Sequence, residues 1–384
     1  MMKKNFFYLS IFVFFLSVSA VRAQSDSLVD VDFVLNRIAT LQIKQDKFFL
    51  SGSYASYIND KQRFTTKRKD INIFYNIVID ATLKKIRPEL NPQQQILVDT
   101  LLARSRKIYP RFLNKERGSY NFWLRDSAYR FPLSWWIYWI KKNGNVPDDM
   151  DDTALAQLAW AADSADKLHR VMQNFVHSPN KKMRSAARKY RSYHAYSTWF
   201  GKKFPVVFDV NVLCNILTFV QTYNLPWTPA DSASLQLIER IIKDKDYIRN
   251  PLDVAPNYGK TAIILYHIAR LTEVKKIPSL DSLKPALIKE SKALLVASKN
   301  MFEQIILANA LHRFGEPAVI QLPKKSQIAQ VEQNDFPFVI GNIPSYFHNT
   351  FKKLFYKTHL LLYYYYCPAY NDVLLLEYLV KNQK

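Results

Sequence analysis

The run Pro147-Asp148-Asp149-Met150-Asp151-Asp152-Thr153, followed at once by Ala154-Leu155-Ala156-Gln157-Leu158-Ala159-Trp160, decides how the chain is read. Four carboxylates in five residues stand between a proline and a strong helix former. Pro147 disfavours a helix running into it, and Asp152 or Thr153 can cap the helix that follows. The aspartates are therefore expected on a loop entering a helix N-terminus, where the backbone's partial positive charge favours anions. Carboxylates packed this closely push at least one pKa upward. A carboxyl kept protonated near neutral pH can act as an acid catalyst. An acidic cap on a surface helix would use the same residues, and at this level both readings stand.

Outward from this stretch, apolar residues recur at helical spacing in one segment after another. Ile71, Phe74, Tyr75 and Val78 predict a helix opened by Asp70, and Ile96, Leu97, Leu101 and Leu102 predict the next, after Pro92. Further helices are expected over 210–223, 232–242, 258–271, 280–295, 301–314 and 373–380. Only 7 glycines occur in 384 residues, which argues against a strand-and-turn architecture. Tyr363-Tyr364-Tyr365-Tyr366 reads as a short extended segment. No linker of disordered composition interrupts the chain, so residues 24–384 are expected to form one helical domain. Gly52-Ser53-Tyr54 recurs as Gly118-Ser119-Tyr120, a weak repeat that suits a closed or stacked array of helix pairs.

The N-terminus reads as a signal peptide over residues 1–23. Lys3 and Lys4 precede an apolar stretch from Phe6 to Ser19, and Val21-Arg22-Ala23 forms a cleavage site before Gln24. Export to a periplasmic or extracellular location is expected. The formal charge is +22, and loss of Lys3, Lys4 and Arg22 with the leader leaves +19. Such a balance favours anionic partners, among them lipid head groups and acidic glycans, whereas nucleic acid is not expected for an exported chain. Lys181, Arg184, Arg188 and Arg191 form a basic stripe at helical spacing that runs into Tyr193, Tyr196, Trp199 and Phe200. It suits either peripheral contact with an anionic membrane or a solvated outer helix with an inward aromatic side. Cys214 and Cys367 can be two buried thiols or, in an oxidising compartment, a single disulfide; the sequence favours the thiols without deciding between them. No cofactor motif is present, and the histidines are too dispersed for a metal site.

On these residues the chain resembles the α/α-toroid superfamily of terpenoid cyclases and protein prenyltransferases. Gly52-Ser53-Tyr54 resembles a worn form of its helix-terminal repeat, and Asn72 to Tyr75, Asp209 to Asn215, Tyr258 to Arg270, Asn309 to Leu311 and Asp372 to Leu379 resemble its inner helices. The fold implied is all-α, a single (α/α)6-type toroid of inner and outer helices. Asp149-Met150-Asp151-Asp152 resembles the Asp-x-Asp-Asp motif of class II cyclases such as squalene–hopene cyclase. That resemblance implies Asp151 as the proton donor that starts cyclisation of an isoprenoid or other lipid, with Asp149 and Asp152 holding and polarising it. Protonating an alkene needs a strong acid shielded from water, with aromatic faces to steady the cation. Trp123, Trp135, Trp136, Trp139 and Trp160 flank the loop. The candidate ligand contacts are Trp123, Trp136, Asp209, Asn211, Asn215, Tyr258, His267 and Arg270. Asp209 could equally be a helix cap, and His267 with Arg270 a cationic pair at a helix C-terminus. Two further readings remain: a glycan hydrolase or lyase in which Asp126 or Asp209 partners the acidic loop, and a non-catalytic lipid- or glycan-binding envelope protein.

Overall fold

The computed structural model describes residues 27–62, 68–125, 146–160, 165–178, 183, 186–201, 204–347 and 349–382. The leader, Asp126, Trp135, Trp136, Trp139, Lys181 and Arg184 lie outside the described residues.

Helices dominate, as the spacing of apolar residues predicts, and they fall into two kinds. The first comprises α1 (Val31–Leu41), α3 (Pro92–Arg106), α5 (Ala165–Met172), α7 (Pro229–Lys243) and α9 (Lys284–Ala297), each burying one stripe. In α9 only Leu287 and Ser291 are fully buried. The second comprises α2 (Phe74–Ile86), α4 (Met150–Ala159), α6 (Val210–Thr222), α8 (Thr261–Val274), α10 (Met301–Arg313) and α12 (Pro368–Asn382). These are buried nearly all round: every residue of α6 from Val210 to Gln221 is covered, and every residue of α12 from Ala369 to Val380. A helix apolar on all faces has to be enclosed by protein. Accordingly α2 packs on α4, α4 on α6, α6 on α8, α8 on α10 and α10 on α12, and α12 returns to α2. Of the half-buried helices, α3 lies on α2, α7 on α6, α9 on α10, and α1 on α12. Among the described residues no helix is long and apolar enough to cross a membrane.

Several boundaries differ from expectation for local reasons. Asp70 does not open α2; it ends a strand, and the helix begins four residues later at Phe74. The segment expected to start at Tyr258 becomes helical only at Thr261, because Gly259 adopts φ +64°. The helix expected over 280–295 is split into a turn at Pro278–Asp281 and α9, with Pro285 in the first turn of α9, where its missing N–H costs nothing. The recurring Gly-Ser-Tyr triplets mark two turns in which Gly52 and Gly118 both take positive φ.

Strands are few but well placed. β1 (Ser56–Asn59), β2 (Arg68–Asp70), β5 (Val339–Asn342) and β6 (Leu362–Tyr366) form an antiparallel sheet in the order β2-β1-β6-β5; β3 (Leu113–Asn114) and β4 (Ser119–Tyr120) form a hairpin. The tyrosine run is thus extended, and its two faces do different things. Tyr363 and Tyr365 join the main core, while Leu362, Tyr364 and Tyr366 pack with Ile340 in a second cluster. Cys214 and Cys367 are free buried thiols.

Candidate functional site

Helix α4 starts earlier than its sequence suggests. The N-cap is Asp149, whose Oδ1 accepts the N–H groups of Asp151 (2.7 Å) and Asp152 (3.4 Å). The backbone around it is pinned from two sides. The Asp149 N–H donates to the Tyr120 carbonyl (2.7 Å), and the Met150 N–H donates to that of Thr198 (2.8 Å). Asp151 and Asp152 therefore sit in the first helical turn, and only Asp148 and Asp149 precede it.

This geometry divides the four aspartates. Asp148 turns toward a polar cleft and is held by Arg117 (3.1 Å), Arg125, Ser119 Oγ (2.6 Å) and Asn114 Nδ2 (2.9 Å). The other three turn inward and are buried, with relative exposures of 7% for Asp149, 5% for Asp151 and 1% for Asp152. Asp148 is thereby separated from the other three.

The three inward carboxyls differ in what surrounds them. Asp151 accepts hydrogen bonds from Asn215 Nδ2 on one oxygen and the Tyr258 hydroxyl on the other. Asn215 Oδ1 in turn accepts from the Arg270 guanidinium. Asp152 has no hydrogen-bond partner on either oxygen among the described residues. Burial drives all three pKa values up. Asp149 is held well above the usual carboxylate range by burial and the field of Asp151. Asp152 is held there by burial and the fields of both neighbours. For Asp151 the upward effect of burial is opposed by Tyr258, Asn215 and Arg270. Such a set titrates as a unit, and its negative charge is best accommodated on Asp151.

All three carboxyls line a cavity of about 70 Å³. Its walls are aromatic: Phe74, Phe122, Trp123, Trp199, Tyr258, Tyr346 and Tyr365. Strand β5 and the 3₁₀ turn Ile343–Tyr346 close one side. Gly259 sets the position of Tyr258. Its φ of +64° favours glycine, and a Cβ there would meet Leu252 Cδ2 at 2.6 Å and Ile340 Cδ1 at 2.9 Å, so a larger residue would be strained and would push these two side-chain ends aside.

The remaining candidates separate into lining and supporting residues. Trp123 and Tyr258 line the cavity; Trp136 lies outside the described residues. Asn215 and Arg270 stand behind Asp151 and do not line it. Asp209 is a helix cap, accepting from the N–H of Asn211 (2.9 Å) on one oxygen and of Asn257 (2.8 Å) on the other, and burial pushes its pKa up to about 7. Asn211 is buried with neither amide atom partnered among the described residues. His267 corrects the cationic-pair reading. Its Nδ1 lies 2.8 Å from the Ile263 carbonyl, its ring packs on Tyr258 and Tyr266, and burial keeps it neutral, with a pKa well below the usual histidine range.

Trp199, Tyr346, Phe74 and Phe122 are absent from the sequence-derived candidates. Trp199 carried a misleading signal, since it belongs to the aromatic stretch beside the basic stripe. In the structure Arg188 and Arg191 lie on and just after a single 3₁₀ turn, Tyr196 and Phe200 are buried, and Trp199 faces the cavity. Among the described residues no group of three His, Cys, Asp or Glu side chains is arranged to hold a metal ion. Searches against protein families, curated proteins and solved structures find no match to the chain.

Proposed function

We propose that the chain is an exported α/α toroid that uses its buried carboxyl cluster to protonate an apolar lipid, in the manner of class II terpenoid cyclases. The toroid reading is supported by six all-round-buried helices whose contacts run in a cycle, with half-buried helices outside them. One observation carries the chemistry: three buried carboxyls meet an aromatic cavity, and of the three Asp151 has a side-chain donor on each oxygen, ready for its anion. In the step proposed, the Asp151 O–H bond breaks and its electron pair stays on the carboxylate. The alkene π pair forms the new C–H bond, and the adjacent carbon becomes cationic. Tyr258 and the Asn215–Arg270 pair stabilise the carboxylate as it forms. Trp123, Trp199 and Phe122, among the aromatic walls, offer the cation polarisable neighbours. The cyclised cation then gives up a proton from the carbon next to the charge, the C–H pair forming the new alkene, and return of a proton to the Asp151 carboxylate restores the acid and completes the isomerisation.

A cavity of about 70 Å³ holds only a few water-sized groups. It therefore takes the reacting end of a long substrate, and the remainder requires the closing wall to move. The glycan reading is less well supported, because Asp209 caps a helix and does not reach the cavity as a second catalytic carboxyl. The test compares the purified protein with Asp151→Asn by untargeted mass spectrometry of retained lipids and by incubation with linear isoprenoids. The expected result is cyclised product from the wild type and none from a folded Asp151→Asn variant. Full turnover by the variant, or retention of glycans in place of lipids, overturns the proposal.

A further inference from the structure

Helix α11 (Asn349–Thr358) follows directly on the turn that closes the cavity and packs against its outer side. Its inward face is fastened: Lys352 is buried with Nζ 2.5 Å from Asp253, and the Tyr356 hydroxyl accepts from Asn342 Nδ2 (3.0 Å). The outward face is apolar where a surface helix should be polar. Phe351 is 60% exposed and Leu354 57%, one turn apart, and Leu360, just beyond the helix, is 57% exposed. His359 and Leu361 on either side of Leu360 both take positive φ (56° and 61°), an unfavourable backbone for side chains of this kind that sends Leu360 outward. The exposed Lys353 and Lys357, four residues apart, run beside this apolar stripe. No Asp or Glu occurs anywhere between Asp335 and Asp372.

We propose that α11 and the turn after it dock on an anionic phospholipid bilayer. The helix lies in the plane of the interface, with Phe351, Leu354 and Leu360 at the acyl boundary and Lys353 and Lys357 among the head groups. Charge selects this occupant. Lys352, Lys353 and Lys357 are the charged residues of α11, on a chain of net charge +22, and a second copy docked face to face would set the exposed Lys353 and Lys357 against lysines. This surface is separate in sequence from the 181–191 stripe, and it stands whether or not the cavity binds a lipid.

The experiment is co-sedimentation of the full chain, purified from an exporting host, with vesicles of phosphatidylcholine alone or mixed with phosphatidylglycerol. Binding to the mixed vesicles is expected, and Lys353→Gln/Lys357→Gln should weaken it about fivefold for each lysine removed. Phe351→Ser/Leu354→Ser should weaken it about tenfold or more. Thermal unfolding matching the wild type shows that the variants are folded. Asp151→Asn should bind vesicles as the wild type does, which keeps this result separate from the fate of the acid site. The proposal is overturned if the wild type ignores anionic vesicles or if both double variants bind unchanged. It is equally overturned if the apolar face proves to be covered by a second copy, seen as a dimer that Phe351→Ser/Leu354→Ser dissociates.

Discussion

Asp80→Asn offers a test of the helix packing behind the site that needs no substrate. Asp80 lies on α2, wholly buried, and a single oxygen, Oδ2, accepts from Ser105 Oγ (2.7 Å), the Tyr109 hydroxyl (2.7 Å) and Trp160 Nε1 (3.3 Å). Oδ1 has no partner among the described residues. Burial pushes the pKa up to about 7, against the opposing effect of these three donors. Because the folded value is raised, the fold prefers the neutral acid. The associated stability is fully present below about pH 4 and is lost as pH rises through about 7. A shift of about three units corresponds to about 4 kcal/mol at about 1.36 kcal/mol per unit. Asparagine can keep its carbonyl oxygen at the Oδ2 position and place its amide where no hydrogen bond is lost, so at about pH 4 the variant should match the wild type within about 1 kcal/mol. By about pH 8 it should be the more stable by up to about 4 kcal/mol. Asp149, Asp152 and Asp209 titrate in both proteins, so the difference between them isolates Asp80. Urea unfolding followed by tryptophan fluorescence across this pH range measures it. A difference that stays constant with pH would refute the burial and the three-donor geometry together.

Two substitutions probe the frame around the site. Gly52→Ala should cost about 2–3 kcal/mol, since the residue sits at φ +92° and a Cβ would overlap the Arg104 carbonyl on α3; an unchanged melting temperature would show that this turn does not pack on α3 as described. Arg313→Met should cost about 3–5 kcal/mol, because the buried guanidinium pairs with Glu377 and Glu273; without it Glu273 keeps Lys85, but the buried Glu377 has no ion-pair partner among the described residues. Double replacement with Glu377→Gln should recover part of that loss, and chemical denaturation that shows no recovery would sink the pairing.

Much of the helical framework is legible in single stretches of sequence, because it depends on neighbours a few residues apart. Apolar spacing marks the helices, Pro92 and Pro229 sit in first turns with Asn91 and Thr228 as caps, and Asp209 caps α6 as one of its two sequence readings allows. The acidic run is likewise identifiable as a helix entrance, although the start is Asp149 because tertiary hydrogen bonds to the Tyr120 and Thr198 carbonyls hold the backbone there. What each carboxyl does was decided only by the fold. Asp148 and Asp149 are adjacent in the chain, yet one meets Arg117 and Arg125 while the other meets an aromatic cavity. Asp151 differs from Asp152 through Asn215, Tyr258 and Arg270, which lie 64 to 119 residues further on. Trp199 and the tyrosine strand acquire their inward faces in the same way. Periodicity reports that a residue is covered; which partner covers it, and hence whether a carboxyl is ionised or held neutral, depends on segments that only tertiary packing brings within a few ångströms.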